Sequence, residues 1–163
     1  MRAARARRNA LQQALLDADL TYAQDHARHA GEIGKLTSLV AAVDFADAAI
    51  QARRRPSFLG TEAALIIRKA ISEDYAVEDY AVDRGEHRAL DAFLEHPFRV
   101  PYSVQQHALN VLRRLRSQVM WDLTQRHRAD ADAKALHTLT VSGIRLSLFK
   151  LDAEFEAMVQ LQA

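Results

Sequence analysis

Helix-breaking residues are scarce in this chain, which has five glycines and three prolines in 163 residues. Between them the sequence is rich in Ala, Leu, Arg, Glu and Gln, which favour helix, and no stretch alternates as a strand would. Long helices bury their apolar faces most simply against one another. The sequence therefore predicts one all-α domain over residues 1–163, an antiparallel helical bundle with long N- and C-terminal helices and shorter central helices.

The first helix is predicted from about Ala3 to Arg55, where Pro56 stops the pattern. Gly31 and Gly34 leave two alternatives open, namely one continuous helix or two helices hinged near residues 31–36. Apolar and half-polar residues form a seam along this helix at alternating spacings of four and three: Leu11, Leu15, Ala18, Tyr22, Asp25, His29, Glu32, Leu36, Leu39, Val43, Ala46 and Ile50. This seam predicts the face that packs against the rest of the bundle.

The central helices are predicted over residues 61–84 and 86–95, with Gly85 as the break between them. HPFRVPYS, residues 96–103, reads as a loop, and Ser103 with Gln106 has the form of a capping box, which predicts a helix from Val104 to about His127. A last helix would follow from Asp130 or Asp132 to about Gln160. Nothing between Val104 and Gln160 absolutely forbids one continuous helix, which stays open as an alternative.

The pentapeptide EDYAV occurs twice in succession, at residues 73–82. In a helix, a shift of five residues rotates the pattern by about 140°. The repeat therefore predicts a helix with two apolar stripes, on which Tyr75 and Tyr80 face different neighbours and the third face is acidic.

Composition narrows the class of protein. With 49% hydrophobic and 26% charged residues the chain falls in the ordinary globular range. It has no cysteine, which excludes disulfides, thiolate metal sites and cysteine nucleophiles. No apolar run reaches the roughly 18 to 20 residues needed to span a bilayer. We expect a cytoplasmic protein without membrane contact.

Charge is unevenly distributed although the net charge is only +1. Residues 73–95 contain eight acids and two arginines, a net of −6, so the rest of the chain carries +7. Such polarity favours contact with a protein partner or with another copy of the chain. The predicted partner-binding residues are those on the acidic outer face: Asp79, Asp83 and Glu86.

Clustered arginines support a different hypothesis. Guanidinium groups match phosphate oxygens in a bidentate manner, so a nucleic-acid backbone could bind to two clusters: Arg53, Arg54 and Arg55, and Arg113, Arg114 and Arg116. The chain would then be a small helical subunit of a larger ribonucleoprotein or DNA-binding complex.

Polar residues in the middle of the first seam suggest a third hypothesis. Asp25, His29 and Glu32 lie at i, i+4 and i+7, so an unbroken helix projects them into the bundle interior. Buried carboxylates and imidazoles need a metal or a partner, whereas a hinge at the glycines would leave the same residues in solvent. No cofactor is expected otherwise, and the alternative is a divalent metal.

Two local resemblances bear on the histidines. Asp25-x-x-x-His29, the segment EHRALDAF starting at Glu86, and His107 are similar to the ligand-binding helical domain of a large class of bacterial transcription regulators. The resemblance implies a metal and carboxylate pocket formed by Asp25, His29, His87 and His107. LHTLTVSGIRLSLFKL, with His137, resembles the phosphorylated helix of histidine phosphotransfer domains, although Thr140 and Val141 stand where that family has Lys and Gly.

No enzyme motif is present: the sequence has no glycine-rich phosphate loop, no Gly-x-Ser-x-Gly elbow and no His-Glu-x-x-His. The function that we expect is therefore that of a non-enzymatic assembly or adaptor subunit, which binds a partner protein or self-associates through its helix faces.

Overall fold

The structure, a computed structural model, describes residues 2–53, 58–97 and 99–162, of which residues 58–60 and 162 are described by their backbone alone. Four α-helices are present in these ranges: α1 (Arg2–Gln51), α2 (Phe58–Glu73), α3 (Arg84–Glu95) and α4 (Tyr102–Gln162). A 3₁₀ helix, Val77–Asp79, lies between α2 and α3. The all-α prediction, with long terminal and short central helices, is confirmed.

Both alternatives left open for the long helices are resolved in favour of continuity. α1 passes Gly31 and Gly34 without a break, and α4 runs through residues 128–132 as a single helix of 61 residues. α4 begins at Tyr102 and not at Val104, because the Pro101 carbonyl accepts hydrogen bonds from the N–H groups of Val104 and Gln105, both at 3.0 Å. Ser103 therefore lies inside the first turn.

The chain divides into two compact units. The first, here called the helix pair, consists of Met1–Gly31 and Arg126–Ala163; the second, here called the bundle, is Glu32–Gln125. Because α1 and α4 each contribute to both units, the boundary falls inside helices and not at a linker. That the whole chain acts as one domain stays a prediction.

The bundle contains the main core, formed by α2, α3 and the adjoining parts of α1 and α4. Its largest fully buried side chains are Val43, Ile50, Ile67, Leu90, Phe93, Leu109, Val111, Leu112, Leu115 and Val119. The helix pair is held by a narrower stripe. The six seam residues of α1 in this unit, from Leu11 to His29, are buried or half-buried, as are Val141, Ile144, Leu148, Leu151 and Phe155 of α4. The other six seam residues, from Glu32 to Ile50, belong to the bundle and are also buried or half-buried.

The two-stripe helix predicted for the EDYAV repeat is wrong. α2 ends at Glu73, so the repeat forms the helix end, a short link and the 3₁₀ turn. Acidic side chains at a helix C-terminus are unfavourable for the helix dipole, and Tyr75 donates a hydrogen bond to Asp122 Oδ2 at 2.7 Å. Tyr75 and Tyr80 contact each other edge to face, with ring centroids 6.2 Å apart. The equivalent valines of the two repeats also differ, since Val77 is buried and Val82 is exposed.

Candidate functional site: the outer face of the helix pair

Polar contacts fix the register of the helix pair. Asp19 of α1 lies 2.8 Å from His137 Nε2, and Asp130 of α4 lies 2.9 Å from His26 Nδ1. A carboxylate only accepts, so each imidazole donates across the pair. The ring of Tyr22 stacks on both imidazoles, with centroids 5.7 Å from His26 and 4.4 Å from His137.

A fourth contact extends this register towards the helix ends, where Arg8 pairs with Asp152 at 3.2 Å. Residue numbers rise along α1 as they fall along α4, so the two segments are antiparallel. The contacts thereby determine which residues of α4 face α1 and which face away from it.

Large apolar side chains of α4 lie outside the face that packs against α1. Leu136 is 67% exposed, Leu139 72%, Leu146 55% and Phe149 73%. Single exposed leucines are ordinary on a protein surface, but four large apolar residues within 14 positions at spacings of three and seven form a stripe. Exposed apolar patches of several hundred Å² are typical of interaction sites, so these four residues are the candidate site. We name this stripe, Leu136, Leu139, Leu146 and Phe149, the outer stripe.

Beside the outer stripe runs a groove between the two helices of the pair, with a volume of about 300 Å³. Leu136 belongs to both the stripe and the groove, whose other walls include Thr21, Tyr22 and Thr140. A side chain that packs on Leu136 from outside therefore finds a partly apolar recess next to it. α1 has a shorter exposed apolar segment of its own, Leu16 and Leu20.

The predicted metal ligands do not form a metal site in the part of the chain that the structure describes, where no group of three or more His, Asp or Glu is placed to hold an ion. Asp25 accepts a hydrogen bond from Arg28. His29 is buried and its Nδ1 has no hydrogen-bond partner. Glu32, half-buried on the same helix, has an interaction of its own.

Two of the three histidines nominated by the regulator resemblance, His87 and His107, belong to the bundle. His87 lies 3.1 Å from Asp91 and 3.5 Å from Glu78, at the edge of an open depression of about 570 Å³. His107 is exposed on α4. The phosphotransfer resemblance also lacks support, because His137 Nε2 is hydrogen-bonded to Asp19 and its ring is stacked on Tyr22.

The arginines predicted to bind nucleic acid make intramolecular contacts. Arg113 binds Asp47 through two hydrogen bonds of 3.0 and 3.1 Å, and Arg116 binds Asp44 through two of 2.6 and 3.2 Å. The pKa of each guanidinium is raised, mainly by these hydrogen bonds to the carboxylate. Their charges are therefore partly compensated within the bundle, and nucleic-acid binding stays a prediction.

The other predicted arginine cluster follows the end of α1. Arg53 adopts a positive φ of 49° just after α1, and its guanidinium lies 4.2 Å from the centre of the Tyr102 ring. This cation–π contact ties the end of α1 to the start of α4. Arg54 and Arg55 lie outside the described residues.

The acidic residues predicted to bind a partner have three different environments. Asp79 is exposed. Asp83 caps α3 by accepting a hydrogen bond from the Glu86 N–H at 2.8 Å. Glu86 does not face solvent as predicted, because Arg114 binds its carboxylate inside the bundle at 2.7 and 2.9 Å. Of the three residues predicted to form an acidic recognition face, only Asp79 and Asp83 are exposed, and Asp83 also caps α3.

Comparison with protein-family models, with curated proteins and with solved structures finds no significant match to this chain. Within the described ranges, no helix combines the length and the apolar character that crossing a membrane requires.

Proposed function

We propose that this protein is a non-enzymatic assembly subunit that binds another helix through the outer stripe of α4. The observation that supports the proposal most directly is the exposure of Leu136, Leu139, Leu146 and Phe149 on one stretch of helix. A helix that presents an apolar stripe to a groove or to another helix is a recurrent mode of protein recognition.

The magnitudes are adequate for binding. Full burial of a Leu or Phe side chain stabilises by roughly 1.5 to 3 kcal/mol. Because the four side chains of the outer stripe are 55 to 73% exposed in the free chain, their burial contributes about 4 to 8 kcal/mol from this side alone. Association costs about 4 to 15 kcal/mol before any net affinity appears. With a comparable apolar contribution from the partner helix, the sum reaches the range of a specific complex.

A pair of glutamine substitutions tests the proposal. Leu139→Gln with Leu146→Gln removes the apolar centre of the stripe while leaving the buried contacts with α1 in place. We expect the purified wild-type protein to be larger than a monomer, or to retain a stable partner, in light scattering and native mass measurements, and the double variant to lose that association without loss of helicity.

Leu65→Gln is the matched control, since Leu65 is an exposed leucine of α2 in the bundle. It should associate like the wild type. A wild-type protein that is monomeric at about 100 µM, where an interaction of about 5.5 kcal/mol would be half populated, and that retains no partner would overturn the proposal.

A further inference from the structure

The exposed side of α4 carries a seven-residue repeat. Its members follow one another at spacings of four, three, four, three and four, and all of them are exposed: Asp132, Leu136, Leu139, Gly143, Leu146 and Lys150. Such spacing places them on one stripe, alternating between the d and a positions of a coiled coil. The repeat extends over 19 residues, from Asp132 to Lys150, or about 27 Å of helix.

The repeat from Asp132 to Lys150 is complementary to a second copy of itself that runs in the opposite direction. In an antiparallel helix pair each a residue faces a d residue of the other helix, so an axis of two-fold symmetry at the level of residue 141 pairs positions whose numbers sum to 282. Building on the proposed function, we propose that the partner of α4 is a second copy of this chain. The two copies bind antiparallel about that axis through the repeat from Asp132 to Lys150.

The apolar layers match by size. Leu136 meets Leu146 of the second copy, and Leu139 meets Gly143 of the second copy. Gly143 destabilises a helix interior, and within this molecule a Cβ at that position would have nothing within 4 Å. No intramolecular packing therefore requires a glycine there. In the dimer, Gly143 would let Leu139 of the second copy approach the backbone closely.

The charged layers match by sign. Asp132 meets Lys150 of the second copy, and Lys150 meets Asp132. Both side chains are exposed, and among the described residues neither makes an ion pair or hydrogen bond within its own chain. A parallel arrangement would place each of these charges against its own equivalent, which is destabilising. The charge pattern thus selects the second copy and its antiparallel direction together.

The absence of cysteine permits a direct test of register. We would prepare Asp132→Cys and Lys150→Cys as separate single variants and treat them with a short bismaleimide, alone and mixed. In the antiparallel dimer the two sites adjoin, whereas two copies of the same site lie about 27 Å apart along the helix. Cross-linked dimer should form in the mixture only, and Glu62→Cys mixed with either variant should give none.

Charge reversal supplies the second measurement. Asp132→Lys or Lys150→Asp alone converts two attractive contacts of the symmetric dimer into two repulsive ones, so the dissociation constant should rise roughly tenfold or more in sedimentation equilibrium. The double variant should return to near the wild-type value. Glu62→Lys, an exposed charge change on α2, should leave the constant unchanged.

The outcomes separate this inference from the proposed function. Cross-linking of each single variant with itself would indicate a parallel dimer and overturn the antiparallel register. A dimer without the mixed cross-link and without charge rescue would place the interface elsewhere. A monomer that binds a different protein through Leu139 and Leu146 would overturn self-association alone, and a monomer with no partner would overturn both.

Discussion

Arg114 on α4 holds the carboxylate of Glu86 at the start of α3 with two hydrogen bonds, of 2.7 and 2.9 Å. The Val82 N–H donates a third hydrogen bond to Glu86 Oε2 at 2.8 Å. These donors lower the pKa of Glu86 from 4.5 to about 2, and the contribution of Arg114 is larger than that of Val82. The pair joins α3, α4 and the last residue of the repeat at one point.

Acid should weaken the bundle through this pair. Because the pKa of Glu86 is lower in the folded protein, its stabilisation is complete above about pH 4.5 and is lost as the pH falls towards 2. Glu86→Gln should lower the free energy of unfolding at pH 7 by about 2 kcal/mol, discounted from a fully buried pair because Arg114 is half-exposed. Urea unfolding at several pH values measures both. A variant with the same acid dependence as the wild type would contradict this assignment.

The two tyrosines of the repeat should respond differently to loss of their hydroxyl groups. Tyr75→Phe removes the hydrogen bond to Asp122 and should lower the free energy of unfolding by about 1 kcal/mol. Tyr80→Phe is the matched control, since no hydrogen bond of its hydroxyl group is found within the described chain. Thermal unfolding of both variants checks this, and equal losses would contradict the asymmetry.

The parts of the fold that the sequence predicted are those set by local spacing. The α1 seam follows from a period that requires no knowledge of the partner, and each of its twelve residues is buried or half-buried. The end of α2 does not follow, because its letters suit a helix and the contact that fixes Tyr75 comes from Asp122, 47 residues later. The burial of Glu86 does not follow from local spacing either, because its partner Arg114 lies 28 residues away in the sequence.

The candidate site is difficult to predict from the sequence because two apolar stripes overlap in it. The inner stripe of α4, from Val141 to Phe155, and the outer stripe occupy the same stretch of sequence, so that the apolar residues appear as one run without a polar face. The signal that could have separated them is the repeat from Asp132 to Lys150, which keeps its spacing across Gly143. Exposure had to be known before the second stripe could be distinguished from the first.

His29 should be a source of instability that leucine removes. Its side chain is 7% exposed, and Nδ1 is buried without a hydrogen-bond partner, which costs about 1 to 3 kcal/mol. His29→Leu should therefore raise the free energy of unfolding by about 1 kcal/mol. The same pair of samples tests the metal hypothesis, because stoichiometric metal in the wild type that is lost in the variant would establish His29 as a ligand and reverse the expected sign.

Exchanging the charges of Arg113 and Asp47 should show that this ion pair stabilises the fold. Arg113→Asp and Asp47→Arg should each lower the free energy of unfolding by about 0.5 to 1 kcal/mol, since the pair is partly exposed. The combined exchange should recover most of the loss. Binding to a nucleic acid, measured on the same variants by fluorescence anisotropy at several salt concentrations, would separate a phosphate-binding role from this one.

Gly143 should show opposite effects on folding and on association. In the single chain, Gly143→Ala adds a methyl group that meets nothing within 4 Å, so helix propensity should raise the stability of the monomer by about 1 kcal/mol. In the antiparallel dimer the same methyl group meets Leu139 of the second copy and should weaken association severalfold. Thermal unfolding at low concentration and sedimentation at high concentration measure the two effects. Gly31→Ala, also without neighbours for its Cβ, should reproduce the first effect and not the second, and a Gly143→Ala protein that associates as tightly as the wild type would remove the glycine from the interface.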